Sequence, residues 1–258
     1  MRLLRFSLIP LVLVIIAGCS SSGSDGPTIS TAPAALSAPE TRIAITSFIA
    51  GDKTGILGKR IPLNLATRLE LALKDVEWIY DQSDKVNPVA AKLQELGLTL
   101  EDIFADSALA AKVGKELKAD LIIVGRIDNP KFTDKDYSTL LKRQGRQAGI
   151  SGTATYIRKR LSALVKTRIK VIDTKTGDLV FNDSVRDYLK YWYAFQTQQR
   201  RQIVFKTEEN MMADLGNHLP RRIAYVLYPT GLPEVKEGEV LLKPEIELLG
   251  NQGVITFD

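Results

Sequence analysis

The hydrophobic and polar positions are most clearly ordered between residues 107 and 128. Leu109, Val113 and Leu117 recur every fourth residue, so they share one face of a helix. The run Leu121–Gly125 follows at once and is apolar throughout, which is typical of a strand covered on both faces, and its β-branched residues favour a strand. This stretch therefore predicts a helix that leads into a central strand of an α/β core.

A second pattern is an alternation of apolar and polar residues over Arg160–Val171, with Leu164 as its exception. Such an alternation predicts a strand with one face in the core. The core side would carry Leu161, Ala163, Val165, Thr167, Ile169 and Val171. Turn-forming residues occupy 173–178, so Leu179–Phe181 is the predicted returning strand of a hairpin.

Weaker patterns predict the remaining elements. They are a strand over 42–48, a helix carrying Leu65, Leu69 and Leu73, a short strand over 78–81, a helix over 88–96, a helical turn over 98–104 and a last helix over 205–227. Pro220 is expected to kink or split the last helix, because proline removes a helical hydrogen bond. Residues 131–152 show no clear pattern, and no element is predicted there. Val240–Leu242 is a candidate edge strand.

The N-terminus has the form of an export signal. Arg2 and Arg5 precede the apolar stretch Phe6–Ile16, which is too short to span a membrane as a helix. It leads into Ile-Ala-Gly-Cys19, which resembles the bacterial lipoprotein signal, where the cysteine becomes the lipid-bearing N-terminus. The resemblance implies lipidation of Cys19, and Ser20 after it implies the outer membrane, with the domain facing the periplasm. The alternative is a plain signal peptide with an incidental cysteine.

The 22 residues from Ser20 to Thr41 are mostly Ser, Ala, Gly and Pro, so they are predicted to form a flexible tether. Fully extended, such a tether reaches about 75 Å. The predicted organisation is a signal peptide at 1–18, the lipidated cysteine and tether at 19–41, an α/β periplasmic domain at 42–230 and an acidic C-terminal tail at 231–258.

Charge is unevenly distributed along the chain. The formal net charge is +5, yet residues 131–206 hold 17 basic and 6 acidic side chains. Basic clusters such as 158–160 resemble nucleic-acid patches, but export removes nucleic acid as a partner. Anionic lipid headgroups, lipopolysaccharide phosphates and acidic protein surfaces remain as partners for this segment. The alternative is that these cations are solvated faces of strands and loops.

Chemistry-bearing residues are scarce. One cysteine and one histidine allow neither an intrachain disulfide nor a zinc site of the usual Cys/His kind. A Ser/His/Asp triad would have to use His218, for which helix capping or surface exposure is the expected role. The loop Gly55–Arg60 lacks the spacing of a phosphate-binding loop. A pair of catalytic carboxylates stays open, but none is assigned. No catalytic, cofactor-binding or metal residue is predicted, and the chain is expected not to be an enzyme.

The segments KADLIIVG at 118–125 and VIDTKTGDLV at 171–180 resemble the curli-secretion lipoprotein family. Related to it are the TolB N-terminal domain and the outer-membrane lipoprotein activator of a penicillin-binding protein. Residues 93–127, which begin with LQELGLT, are especially similar to the activator. The likeness covers about residues 42–185. It implies a single α/β domain with a mixed sheet of about four or five strands flanked by helices, used to bind proteins or to oligomerise.

Three functions follow from these observations. The first is a non-enzymatic outer-membrane lipoprotein that binds or assembles an envelope protein partner; the second is a curli-type oligomeric export channel; the third is an activator of a cell-wall synthase. In the channel, segments 131–158 and 185–206 would be spanning hairpins with Tyr191, Tyr193 and Phe195 facing lipid. A homo-oligomer is left open. The candidate partner or membrane surface comprises Tyr188, Tyr191, Trp192, Tyr193, Phe195, Arg200 and Arg201.

Overall fold

The computed structural model describes residues 41–82, 87–141, 154–196, 200, 203–236 and 238–240. The predicted signal, Cys19, the tether up to residue 40, Arg201 and residues 241–258 of the tail lie outside the described residues. None of the described helices is long and apolar enough to cross a membrane.

The described elements alternate strands and helices and then form a run of long strands. The strands are β1 (Arg42–Ile45), β2 (Ile49–Ala50), β3 (Glu77–Tyr80), β4 (Leu121–Ile127), β5 (Lys131–Leu141), β6 (Ala154–Asp173), β7 (Leu179–Gln196) and β8 (Glu239–Val240). The helices are α1 (Ile56–Ala72), α2 (Pro88–Glu95), α3 (Leu100–Ala105), α4 (Ser107–Glu116) and α5 (Glu208–Leu227).

One mixed sheet joins all the described strands. Its main order is β3-β1-β4-β6-β7-β8, with β2 paired to β4 and β5 paired to β6. β1 runs parallel to β3 and β4, whereas β6 runs antiparallel to β4, β5 and β7. The predicted mixed α/β fold is confirmed, and β4 is central as expected, with Val124 only 1% exposed. The sheet has more strands than predicted, because β2 and β8 are two residues long and β5 is polar on both faces.

Helices cover the sheet on both sides. On one side, α1 and α5 pack on β1, β4, β6 and β7 through residues such as Leu65, Leu219 and Ile169. On the other side, α2, α3 and α4 cover Ile122 and Val124 and extend only to the end of β6 near Ile172. Helices on both faces explain why β4 is apolar at almost every position.

Helix starts agree with the capping pattern in the sequence. Thr99 and Asp102 form a reciprocal capping box at the start of α3. Hydrogen bonds from Thr99 lower the pKa of the Asp102 carboxyl. Asp106 caps α4 by accepting a hydrogen bond from the Ala108 backbone N–H. Gly97, which follows the C-cap residue Leu96 of α2, has φ +63°, the left-handed conformation that commonly ends a helix.

Each of the two long helices contains a proline, and in each case another group binds the carbonyl that the proline leaves free. Pro62 in α1 cannot bond to Gly58 O, which accepts instead from Phe48 N at 2.8 Å. Pro220 in α5 cannot bond to Gly216 O, which accepts from Asn64 Nδ2 at 2.8 Å. Pro220 was expected to kink or split the last helix; it does not split it, because α5 continues through Pro220.

Three strands extend beyond the helices of the second side. β6 has 20 residues, but β4 pairs only with its last part, Thr167–Asp173. Its first part pairs with β5 on one edge and with β7 on the other. We call this three-stranded part, made of β5, residues 154–166 of β6 and residues 186–196 of β7, the ribbon. Residues 131–141, for which the sequence predicted no element, therefore form one edge of the ribbon.

Candidate partner-binding surface

The ribbon has two faces of opposite character. Residues paired across neighbouring strands point to the same side of a sheet, and successive residues alternate sides. The back face packs on α5 and carries Leu161, Tyr191, Tyr193 and Phe195. The ribbon face is the opposite one. It comprises Lys131, Thr133, Lys135 and Tyr137 of β5, Arg158, Arg160, Ser162, Leu164 and Lys166 of β6, and Arg186, Tyr188, Lys190, Trp192 and Ala194 of β7.

Charge is sorted between the two faces. Seven of the ribbon-face residues are Lys or Arg, and none is Asp or Glu. The four aspartates of β5 and β7 all lie on the back side of their strands; they are Asp134, Asp136, Asp183 and Asp187. Among the residues of its own three strands the ribbon face therefore carries only positive charge, and most of its cations are exposed; Glu239 of the neighbouring β8 pairs in register with Lys190.

Aromatic rings hold the arginines of this face in place. The Tyr137 and Trp192 ring centroids lie 5.9 Å apart. The Arg158 guanidinium lies 5.1 Å from the Trp192 centroid, and that of Arg160 lies 5.5 Å from both rings. Nearby, the Lys190 ammonium lies 5.0 Å from the Tyr188 ring. A cation over a ring face is attracted by the ring's negative face, so these groups are fixed before any partner binds.

Cations also lie at the other end of the same sheet face, where α3 packs against it. Lys170 donates a hydrogen bond to the Phe104 carbonyl at 2.6 Å and lies over the Phe104 ring. Burial, and then the nearby Arg168 and Arg126, lower the pKa of the Lys170 ammonium. Arg126 is paired with Glu101 of α3. At the covered end of this sheet face, α3 thus supplies a carboxylate to Arg126, whereas the ribbon face carries no acidic side chain of its own strands.

The back face fixes the ribbon to the domain. The Tyr191 hydroxyl donates a hydrogen bond to Asp214 Oδ2 at 2.7 Å, and Lys206 is paired with the same carboxylate. Burial and the Asp214 hydrogen bond raise the pKa of the Tyr191 hydroxyl. The Tyr193 ring meets Phe205 edge-on with centroids 5.0 Å apart. These contacts join β7 to α5 and to the segment before it.

The candidate surface from the sequence is therefore divided. Tyr191, Tyr193 and Phe195 are at most 3% exposed and belong to the core, in contrast to their predicted surface position. Tyr188 and Trp192 alternate with them along β7 and lie on the ribbon face. The same face carries Tyr137, Arg158 and Arg160. Alternation separated the two sets correctly, but it could not show which set α5 covers.

The basic clusters are divided in the same way. Lys159 lies between the exposed Arg158 and the half-buried Arg160 in sequence, yet its side chain is buried on the back face. Its ammonium is paired with Asp134 and lies 3.3 Å from Asp136 Oδ1. Arg200 binds the other oxygen of Asp136 at 3.0 Å, so it belongs to this back-face network and not to the ribbon face.

The only histidine binds a fully buried carboxylate. His218 Nδ1 lies 2.8 Å from Asp187 Oδ2, and Arg222 Nη1 lies 3.4 Å from Asp187 Oδ1. The Tyr188 backbone N–H also donates to Asp187 Oδ1, at 3.0 Å. The expected capping or surface role of His218 was wrong, because α5 turns it onto β7. Within the described residues, no three His, Cys, Asp or Glu side chains are grouped so that they could hold a metal ion.

Comparison with known proteins gives only distant likenesses. No protein-family model and no curated protein matches the sequence. Similar solved structures include E. coli LpoB, with 10% identity and TM-score 0.34 over 76% of this chain and 84% of that one. Lipoprotein GNA1162 from Neisseria meningitidis has 11% identity and TM-score 0.34, over 71% and 98%. The PelC dodecamer from Paraburkholderia phytofirmans has 12% identity and TM-score 0.31, over 58% and 74%. Likenesses this weak assign no function to the chain.

Proposed function

We propose that this chain is a non-enzymatic, outer-membrane-anchored lipoprotein whose periplasmic domain binds an envelope protein through the ribbon face. The observation that carries the proposal is the ribbon face itself. A sheet surface with Trp, Tyr and Arg at its centre has the composition of protein-binding hot spots. Its aromatic centre is formed by Tyr137 and Trp192, with Arg158 and Arg160 stacked on them.

A rigid support favours binding without large rearrangement. The back face of the ribbon is held by Tyr191 and Tyr193 against α5 and Phe205, so the strands need not order themselves when a partner arrives. Ordering side chains and loops at an interface is a large part of the cost of binding. A surface that is already fixed avoids much of that cost.

The anchor and tether limit which partners can be reached. Lipidation at Cys19 would hold the domain within about 75 Å of the membrane, because that is the extended length of the predicted tether. A cell-wall synthase, which the sequence resemblance implies as a partner, would have to approach the outer membrane to this distance. The ribbon face does not distinguish such an enzyme from other envelope proteins.

The export-channel function is less well supported by the packing. It needs Tyr191, Tyr193 and Phe195 to face lipid, but these rings lie in the core against Phe205 and α5. Turning these rings outward would break the hydrogen bond between Tyr191 and Asp214. It would also remove the buried tyrosine beside the ion pair of Asp214 and Lys206. We therefore keep the binding module as the proposed function.

Site-specific photo-crosslinking in intact cells tests this function. A photo-reactive amino acid in place of Ala194 sits on the exposed ribbon face and leaves the cations and rings in place. A control position is Leu71 of α1, which is 72% exposed and lies on the opposite side of the sheet. We expect a crosslink to a specific envelope protein from position 194 and none to that protein from position 71. Equal crosslinking from both positions, or none from either, would contradict the proposal.

A further inference from the structure

We infer that the ribbon face recognises an acidic surface on a protein, through carboxylates placed opposite Arg158 and Arg160. This inference rests on the proposed function and adds the chemical class of the partner. The first support is charge complementarity. All four aspartates of β5 and β7 point to the back face, away from Arg158 and Arg160. A surface with one sign of charge attracts and orients a partner of the opposite sign.

The second support is the way the two arginines are held. Their guanidinium carbons lie 5.1 to 5.5 Å from the centroids of the Trp192 and Tyr137 rings, so the rings hold both side chains on this face. A guanidinium edge matches a carboxylate with two parallel hydrogen bonds. Arg158 is exposed, so its guanidinium is open to a partner, whereas Arg160 beside it is half-buried.

The third support concerns the choice between a protein and a lipid surface. Proteins that bind to bilayers often place Trp and Tyr rings at the level of the lipid headgroups. Here Arg158, which is exposed, lies over the half-buried Trp192 ring, so a charged group covers the ring. A partner would meet guanidinium groups before it met the ring. Guanidinium groups in front of the ring favour pairing with fixed carboxylates on a protein over insertion of the ring between lipid headgroups.

Charge variants of the full-length, lipidated chain test the inference, using the photo-reactive residue at position 194. The test variant carries Arg158→Gln and Arg160→Gln together. The matched control carries Lys112→Gln and Lys115→Gln, which remove the same charge from exposed positions of α4. We expect the crosslink yield to fall about tenfold or more in the arginine variant and to stay unchanged in the control.

Two further readouts identify the kind of partner. In isolated envelopes, raising the salt from about 0.1 M to 1 M shortens the screening length from about 10 Å to 3 Å, so the yield should fall steeply. The crosslinked partner peptide, sequenced by mass spectrometry, should lie beside clustered Asp or Glu residues. The variant with Arg158→Lys and Arg160→Lys keeps the charge but loses the two-pronged guanidinium, and it should recover only part of the yield.

Each remaining outcome contradicts a distinct claim. If the yield of the protein crosslink stayed the same at high salt and in the arginine variant, the acidic-partner inference would be overturned and the proposed function would stand. A crosslink to a lipid instead of a protein would overturn the inference in favour of a membrane surface. The absence of any protein crosslink from position 194 with wild-type arginines would overturn the proposed function itself.

Discussion

The side-chain amide of Asn64 in α1 donates a hydrogen bond to the backbone carbonyl of Gly216 in α5, at 2.8 Å. Pro220 has no N–H to offer this carbonyl, so Asn64 supplies a donor that the helix itself lacks. The bond therefore couples the two helices that cover one side of the sheet.

Loss of this bond should destabilise the domain. Asn64→Ala would leave the Gly216 carbonyl without its donor, and we expect a loss of about 1–2 kcal/mol in the free energy of unfolding. Urea denaturation of the purified chain measures it. Thr67→Ala on the same helix is the control, because its hydroxyl donates a hydrogen bond within α1, to the Leu63 carbonyl at 3.0 Å. With Pro220→Ala, a helical N–H returns at position 220, and Asn64→Ala should then cost less; an equal cost in both backgrounds would contradict this account.

Neighbouring residues of β7 should differ sharply in their effect on stability. Tyr191 is fully buried and bonded to Asp214, so Tyr191→Ala should cost about 3–5 kcal/mol. Trp192 is partly exposed on the ribbon face, and Trp192→Ala should cost much less while weakening the crosslink from position 194. Thermal unfolding and crosslinking measure the two effects. A larger loss of stability for Trp192→Ala than for Tyr191→Ala would reverse our assignment of the two faces.

Much of the fold could be predicted from the sequence, because its signals are local. The α4 helix and β4 strand follow from residue periodicity within residues 107–127, and Thr99 and Asp106 mark helix starts by their capping chemistry. β5 could not be predicted in this way. Its stability comes from pairing with β6, and its polar residues on both faces give no alternation to detect.

The candidate surface was harder to predict than the fold. The alternation in residues 188–195 separates two sets of side chains, but only the position of α5 decides that the set with Tyr191 is buried. The contact between Asp187 and His218 joins residues 31 positions apart on different elements, and no local pattern in the sequence indicates it. The Tyr137–Trp192 cluster was missed for the same reason, since it forms across β6 between two strands that do not pair with each other.

The Asp120 carboxylate should make stability depend on acid pH. It accepts a hydrogen bond from the Arg42 backbone N–H at 3.0 Å and lies 2.9 Å from the Lys175 ammonium. These groups lower its pKa, so its contribution is present above the unfolded pKa of about 3.9 and is lost as pH falls through the folded value. We expect Asp120→Asn to cost about 1 kcal/mol near pH 7, a value reduced by solvent screening.

The measurement is urea unfolding of wild type and Asp120→Asn at several pH values. The difference between them should shrink as the pH falls below about 4, because the wild-type carboxyl then becomes neutral as well. A difference that stays constant, or grows, on acidification would show that the charge of Asp120 does not stabilise the fold.

The proposed anchor predicts a simple change in fractionation. Cys19 is the only cysteine, so Cys19→Ser removes the only thiol that could carry the lipid. We expect the variant to leave the outer-membrane fraction and to lose metabolic labelling with a fatty acid. If the variant stayed with the outer membrane after a high-salt wash, the lipid anchor would not be what holds the chain there.

Hydroxyl-radical footprinting of the ribbon face tests most directly whether this face is occupied in the envelope. Oxidation of Tyr137 and Trp192 is compared between the purified chain and the chain in isolated envelopes, with the partly exposed Tyr225 of α5 as the internal reference. Binding through the ribbon face predicts that the first two residues are protected in envelopes and that Tyr225 is not. Equal oxidation of Tyr137 and Trp192 in both samples, with a partner still crosslinked elsewhere on the domain, would contradict it.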